Sequence, residues 1–194
     1  MRPAFRDLFR HLLAAPLAAL LLAGPAAAAP IDIVDDQGQA LRLAQPARRI
    51  VSLAPHITEL LYAAGAGDRL VGAVQYSDYP EAAKKLPRVG GYSAVDMEQV
   101  IALKPDLVVA WKSGNRNAHL DKLRALGVPV FINEPRRIDD VAKSLAQFGR
   151  LAGTGAAGEA AAKAFRARHA ALAARYSGRP KLRLFYEAWN RPLM

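Results

Sequence analysis

The sequence predicts an α/β fold: a lobe built on a parallel sheet, a long connecting helix and the start of a second α/β lobe. Between residues 50 and 151, short apolar runs alternate with segments of helical periodicity. Strands and helices that alternate along the chain in this way typically form a parallel sheet with helices on its faces. Residues 154–176 are rich in Ala, Arg and Lys and contain no proline, which favours one long helix.

The first predicted elements are a hairpin, a buried strand and a helix. Residues 31–43 alternate apolar and polar side chains around an Asp-Gln-Gly turn, which is typical of a short hairpin. Residues 49–54 form the compact apolar run that a strand covered on both faces requires. Apolar residues then recur at helical spacing over 57–64, and Gly65 can adopt the left-handed conformation that closes a helix.

The rest of the first lobe repeats this alternation. Strands are predicted at short apolar runs, and helices where apolar residues recur every three or four positions. The predicted strands are 70–74, 107–110 and 128–132, and the predicted helices are 81–85, 97–103, 118–126 and 138–151.

A last strand is predicted at Leu182–Glu187, followed by a turn at residues 189–192. Buried backbone groups need partners, so we expect this strand to open a second lobe whose remainder lies beyond Met194. The alternative is that the strand joins an edge of the first sheet. The expected divisions are an N-terminal lobe at 30–152, a connecting helix at 153–178 and the first strand of an incomplete C-terminal lobe at 179–194.

The first 29 residues predict a secretory signal peptide. Three arginines precede an apolar run from Leu12 to Ala23, and a tail of small residues ends at Ala29. A membrane anchor is the alternative, but Pro16 and a closing Gly-Pro pair leave the run short of the roughly 20 apolar residues that a spanning helix needs. We therefore expect cleavage near Ala29 and export.

The composition argues against several classes of protein. The chain has no cysteine, which excludes disulfides, thiolate metal ligands and a cysteine nucleophile. The formal charge of +10 becomes +8 without the first 29 residues, because three Arg and one Asp leave with them. The basic residues are scattered and accompany no RNA-binding or zinc-finger pattern, so we expect a solvated basic surface and no nucleic-acid partner.

Motifs for catalysis are absent from the sequence. There is no Gly-x-Ser-x-Gly, no His-Glu-x-x-His, no P-loop and no Gly-x-Gly-x-x-Gly after the first strand. His56, His119 and His169 lie far apart, without metal-ligand spacing. His56 starts a helix and could reach a cleft, but we expect a surface or capping histidine. We expect no enzyme activity, no catalytic residue, no metal site and no cofactor.

Four aromatic residues follow predicted strands or lie in the loops beside them: Tyr76, Tyr79, Tyr92 and Trp111. In open parallel sheets, ligands bind beyond the carboxyl ends of the strands. Tyr and Trp present a wide apolar face with a polar edge, which suits a broad, partly polar ligand. We predict that Tyr76, Tyr92 and Trp111 bind the ligand, and for Tyr79 core packing stays an equal alternative.

Glu98 is an acidic residue one step into the helix that follows Tyr92. Asp96 is the more natural cap for that helix. We therefore expect Glu98 to point outward and meet a basic partner.

Several segments resemble one known family, the periplasmic substrate-binding proteins of ABC importers for cobalamin, ferric siderophores and haem. The general resemblance is carried by Arg49–Leu60, Gly65–Gly72 and Leu103–Val108. The cobalamin branch is indicated by Tyr76–Pro80 and by Asp106–Asn115. The resemblance runs from Ile31 to Met194.

In that family, two Rossmann-like lobes are joined by one rigid helix and grip the ligand between them. The resemblance implies that Tyr76 packs on the corrin, that Trp111 forms a second wall of the cleft, and that Tyr92 takes a place where a tryptophan is also seen. It implies that Glu98 docks onto arginines of the membrane permease. Trp189 and Met194 lie near where an aromatic of the second lobe would enter.

The resemblance further implies a transport function. The expected protein is a periplasmic monomer that captures cobalamin (vitamin B12) or a related corrinoid and delivers it to an ABC transporter permease in the inner membrane. A haem or ferric siderophore binding protein is the alternative. An NAD-linked enzyme is disfavoured because the glycine fingerprint is missing.

Overall fold

The computed structural model describes residues 29–187, and the predicted parallel sheet is present in it. Predicted and observed elements of the first lobe agree to within about two residues at their ends. The strands are β1 (Ile31–Val34), β2 (Ala40–Leu43), β3 (Ile50–Ser52), β4 (Leu70–Ala73), β5 (Leu107–Trp111) and β6 (Val130–Asn133). The helices are α1 (Pro55–Ala63), α2 (Met97–Ala102), α3 (Asn117–Ala125), α4 (Ile138–Ala152) and α5 (Gly155–Tyr176), with short 3-10 helices at Gly67–Arg69 and Glu81–Lys85.

Four strands form one parallel sheet in the order β4-β3-β5-β6, and β1 pairs with β2 as the predicted antiparallel hairpin. Because all four strands of the sheet run the same way, their carboxyl ends meet at one edge, here called the carboxyl edge. The loops that leave this edge carry the residues predicted to bind the ligand.

Both faces of the sheet are buried, which explains the uninterrupted apolar runs. Leu107 and Val109 of β5 join one core cluster, which includes residues of α1, α4 and α5. Val108 and Ala110 point to the opposite face and join a second cluster, with residues of α2 and α3. The alternation along one strand thus fixes which residues face each helical layer.

Helix α5 is anchored to the lobe by its first turns. It crosses α4 where two glycines meet: a Cβ added at Gly158 would lie 2.7 Å from the carbonyl oxygen of Leu145 and 2.9 Å from Cα of Gly149. The hydroxyl of Thr154 donates to the carbonyl of Ala64, at 2.7 Å. From residue 166 onward every described residue of α5 is exposed.

The strand predicted at Leu182–Glu187 is not formed. These residues have no assigned secondary structure, and their large apolar side chains are mostly exposed, as in Leu182 at 86% and Phe185 at 76%. The sheet within residues 29–187 has four strands and is not extended by this segment. Strand propensity alone was misleading here, because a strand also needs a partner for its backbone groups.

Some predictions concern residues outside the described range. These are the signal peptide over residues 1–28, the turn at 189–192, and any role of Trp189 or Met194. Among residues 29–187, no helix is both long enough and apolar enough to span a membrane.

Candidate functional site

The carboxyl edge carries the four aromatic residues singled out in the sequence, which together are called the aromatic surface: Tyr76, Tyr79, Tyr92 and Trp111. Tyr76 is 76% exposed, Tyr79 is 70% exposed and Tyr92 is 42% exposed, whereas Trp111 is half-buried. Tyr79 therefore does not pack in the core. Large aromatic side chains so exposed on neighbouring loops are typical of a surface that contacts a ligand or a partner.

Trp111 is the last residue of β5, and its ring lies at the centre of an aromatic group. The Tyr92 ring is tilted by 52° against it, with ring centroids 5.8 Å apart. On another side, the His56 ring meets it edge to face at 84°, with centroids 5.4 Å apart. Such tilted and edge-on arrangements are the favoured geometries of aromatic pairs. The structure thus brings together two of the three predicted ligand-binding residues and adds His56.

Gly114 makes room for the Trp111 ring. A Cβ at position 114 would lie 2.6 Å from Cδ2 of Trp111 and closer still to its Cε3. Real Cβ atoms do not approach other atoms to such distances. The glycine is therefore needed here for close approach and not for an unusual backbone conformation.

The buried amide of Asn115 joins three loops of the carboxyl edge. Its Oδ1 accepts a hydrogen bond from the backbone N–H of Trp111, at 2.7 Å. Its Nδ2 donates to the carbonyl of Leu53 at 2.9 Å and to the carbonyl of Tyr92 at 2.7 Å. The loops after β3 and β5 and the Tyr92 loop are thus held by a single side chain.

Tyr76 lies on the loop after β4 with a positive φ of 64°. Arg88 holds this loop: its guanidinium donates to the carbonyls of Val74 and Ser77, at 3.3 and 3.1 Å, and pairs with Asp78 at 3.2 Å. Tyr76 makes no ring contact with Trp111. Its loop reaches the Tyr92 loop through the backbone, since Gln75 N–H donates to the carbonyl of Gly90 at 2.8 Å.

Three buried hydroxyls, those of Ser52, Thr58 and Ser77, are hydrogen-bonded to one another. Thr58 of α1 lies 2.8 Å from Oγ of Ser52 and 3.1 Å from Oγ of Ser77. Ser52 in turn donates to the carbonyl of Ala54 at 3.0 Å. The end of β3, the first turns of α1 and the Tyr76 loop are therefore connected by polar groups that have partners.

His56 differs from the expected surface or capping histidine. It is half-buried, and burial lowers the pKa of its imidazole below the ordinary value of 6.5, although Asn133 and the negative charge of Glu134 oppose the shift. A neutral imidazole is thereby favoured next to Trp111. No local pattern of residues indicates this environment, because it depends on where α1 packs against the end of β5.

Glu98 is exposed in the first turn of α2. As expected, Asp96 caps the helix, accepting from the backbone N–H groups of Glu98 and Gln99 at 3.1 Å each. Among residues 29–187 Glu98 forms no ion pair. Within the same range no group of three or more His, Cys, Asp or Glu side chains is arranged to hold a metal ion.

Sequence reasoning missed three residues that hold the site together: Arg88, Gly114 and Asn115. Two of them lie in the segment that resembles the cobalamin branch, but nothing in the local pattern says what they contact. Their partners are backbone groups and rings of other loops, which only the fold brings near.

Together, a doubly covered parallel sheet and exposed aromatic residues at its carboxyl edge are typical of an α/β lobe that binds a ligand. Residues 50–193 match the family described as periplasmic binding protein, which is most of the chain. The chain belongs to this family.

Curated relatives carry a more specific name. The chain is 43% identical over 150 residues to the vitamin B12-binding protein of Yersinia pestis (strain Pestoides F), covering 77% of this chain and 54% of that protein. It is 39% identical over 150 residues to the vitamin B12-binding protein of Vibrio parahaemolyticus serotype O3:K6, with 77% and 54% covered. The chain thus spans about half the length of the curated relatives it matches.

Two solved structures that resemble the chain are a vitamin B12-binding protein and a heme-binding protein. The periplasmic vitamin B12 binding protein BtuF of Vibrio cholerae matches with a TM-score of 0.72 and 39% identity, covering 76% of this chain and 58% of that one. The periplasmic heme-binding protein RhuT from Roseiflexus sp. RS-1 matches with a TM-score of 0.61 and 33% identity, covering 69% and 52%.

Proposed function

We propose that this chain is the first ligand-binding lobe of a periplasmic protein that captures cobalamin or a related corrinoid for an ABC transporter. One observation carries the proposal: Tyr92 and Trp111 are in ring contact at the carboxyl edge, beside the exposed Tyr76. The names of the curated relatives support the choice of ligand. In this proposal the protein acts as a monomer and catalyses no reaction.

The chemistry of the aromatic surface suits a corrin. A corrin is broad and flat, with polar substituents at its rim, and aromatic rings with polar edges offer a matching apolar face. The surface is open, so one lobe covers only one side of such a ligand. In our proposal α5 is the connecting helix, and its anchorage at Gly149 and Gly158 fixes the direction in which a second lobe is held.

Titration of the complete gene product with cyanocobalamin tests the proposal. Trp111→Ala and Tyr92→Ala should each weaken binding by about 1–3 kcal/mol, which is roughly 5- to 150-fold in Kd. Tyr62→Ala is the matched control, because Tyr62 is a half-buried aromatic at the far end of α1 that packs on Gly67. Unchanged Kd in both site variants would overturn the assignment of the aromatic surface.

Hemin provides the comparison for the alternative ligand, since solved haem-binding proteins share the fold at lower identity. We expect cyanocobalamin to bind more tightly than hemin. If hemin binds more tightly, and Trp111→Ala weakens that binding, the aromatic surface would be a haem site instead.

We further propose that Glu98 docks the protein onto basic residues of the permease. The support is its exposed position in the first turn of α2 and its lack of an ion pair within residues 29–187. An exposed charge of this kind sets the rate and register of association more than the affinity. Glu98→Ala should leave the Kd for cyanocobalamin unchanged and reduce cobalamin uptake by cells.

Glu59→Ala is the matched control for docking, because Glu59 is also an exposed glutamate, on α1. It should have normal uptake. Normal uptake by Glu98→Ala would refute the docking role without affecting the assignment of the ligand.

Export through a cleaved signal peptide is the remaining part of the proposal. The basic, apolar and small-residue segments within residues 1–29 support it. N-terminal sequencing of the protein from a periplasmic fraction should begin near Pro30. A protein that keeps its first 29 residues would contradict this part alone.

A further inference from the structure

Asn115 occupies an unusual place among the residues around the aromatic surface. It is 5% exposed, yet it lies on the loop after β5, where most neighbours are partly or fully exposed. Burial of a primary amide is costly unless its polar atoms have partners. The burial of Asn115 is therefore tolerated only because its amide has hydrogen-bond partners.

The hydrogen bonds of Asn115 define the orientation of its amide uniquely. The backbone N–H of Trp111 needs an acceptor, and the carbonyls of Leu53 and Tyr92 need donors. Only an amide supplies one acceptor and two donors from a single planar group. Aspartate has no donor when ionised, and serine has a single hydroxyl hydrogen.

Two of these three bonds act on residues of the aromatic surface. The bond to the Trp111 N–H fixes the backbone at the end of β5, from which the indole ring departs. The bond to the Tyr92 carbonyl fixes the other loop, and the two rings then meet at 5.8 Å. The third bond, to Leu53, ties both loops to the segment that leads from β3 into α1.

We propose that Asn115 is the positioning residue of the ligand site: it holds Trp111 and Tyr92 as one rigid aromatic unit against the end of β3. It acts through the backbone of these residues and need not touch the ligand. The proposal deepens the proposed function, since the effect on affinity rests on Trp111 and Tyr92 contacting the ligand.

Asn115→Asp is the most informative variant because it keeps the shape and the acceptor for Trp111 but loses both donors. It also places a carboxylate beside two carbonyl oxygens. Trp111 and Trp189 are the two tryptophans of this sequence, so a Trp189→Phe background, with any tryptophan of a further lobe also replaced by Phe, isolates Trp111 when only tryptophan is excited. Without any ligand, Asn115→Asp should shift Trp111 emission to longer wavelength and increase its quenching by acrylamide.

Two controls separate positioning from a general loss of stability. Asn117→Asp makes the same chemical change two residues away, at an exposed side chain whose Oδ1 accepts from Lys112. Val100→Ala removes core volume on α2 without touching the Asn115 bonds. Neither should alter Trp111 emission at a temperature where circular dichroism shows the fold intact.

Cyanocobalamin affinity provides the second measurement. Asn115→Asp should raise the Kd by at least about fivefold, the factor that corresponds to roughly one lost hydrogen bond. Altered Trp111 emission with no measurable cobalamin binding in the parent protein would uphold the positioning role and refute the ligand. Unchanged emission and quenching in Asn115→Asp would overturn the positioning role whatever the ligand.

Amide hydrogen exchange of the unmodified protein tests the same claim without any variant. The Trp111 N–H donates to a buried side chain and should exchange slowly, at a rate similar to that of Val109 in the same strand. Rapid exchange at Trp111 with slow exchange at Val109 would show that Asn115 does not hold this loop.

Discussion

Gly114→Ala is the sharpest steric perturbation of the aromatic surface that the structure offers. The added Cβ would lie 2.6 Å from Cδ2 of Trp111, so this atom must retreat by at least about 0.8 Å to reach ordinary contact at 3.4 Å, and Cε3 must move further. Gly114 does not have a positive φ, so alanine adds no backbone strain. The cost therefore falls on the half-buried indole ring, which must move away from Gly114.

The expected result is a loss of affinity with little loss of stability. If the ring leaves the Tyr92 contact, cyanocobalamin binding should weaken by about 1–3 kcal/mol, the usual range for loss of an aromatic anchor. The assay is isothermal titration calorimetry, with circular dichroism as a check on folding. Gly155→Ala is the matched control, because a Cβ there meets no atom within 4 Å. Equal affinities of Gly114→Ala and Gly155→Ala would show that the position of the Trp111 ring does not govern binding.

Three further predictions concern stability and loop order. Burial lowers the pKa of the His56 imidazole in the folded protein, so the unfolded state binds the proton more tightly. The folded state therefore has its full stability above pH 6.5, the ordinary pKa of histidine, and loses stability as the pH falls from there toward the folded pKa. Urea unfolding at pH 7.5 and 5.5 should therefore show a larger loss for the parent than for His56→Gln; equal losses would count against it. Gly158→Ala should destabilise the protein by about 1–3 kcal/mol in thermal melts, because the new Cβ would lie 2.7 Å from the carbonyl oxygen of Leu145. An unchanged melting temperature would contradict the tight crossing of α4 and α5. Arg88→Ala should release the Tyr76 loop and raise the Kd for cyanocobalamin by roughly threefold or more. Arg88→Lys should restore the affinity only in part, because lysine lacks the planar fork of the guanidinium. Full recovery of the affinity by lysine would indicate that charge alone matters.

The elements of the first lobe could be predicted because each reflects a local pattern. The apolar run at residues 107–110 predicts a doubly buried strand, and the structure places its residues alternately in the two core clusters. The strand predicted at Leu182–Glu187 is not formed among the described residues, since a local pattern says nothing about whether a neighbouring strand is present. The existence and role of a second lobe stay predictions.

The location of the site could be predicted, but its internal contacts could not. The rule that ligands bind at the carboxyl ends of parallel strands was enough to single out Tyr76, Tyr92 and Trp111. The rule does not tell which of them touch, and only Tyr92 and Trp111 do. The roles of His56 and Asn115 depend on side-chain directions and on the packing of α1, which have no signature in the spacing of residues.

A crystal structure of the complete gene product grown with cyanocobalamin would show directly where the corrin binds. We expect the corrin to lie on the aromatic surface, with Trp111, Tyr92 and Tyr76 within about 4.5 Å of the ligand. A corrin bound elsewhere, with these three side chains still in water, would contradict this expectation.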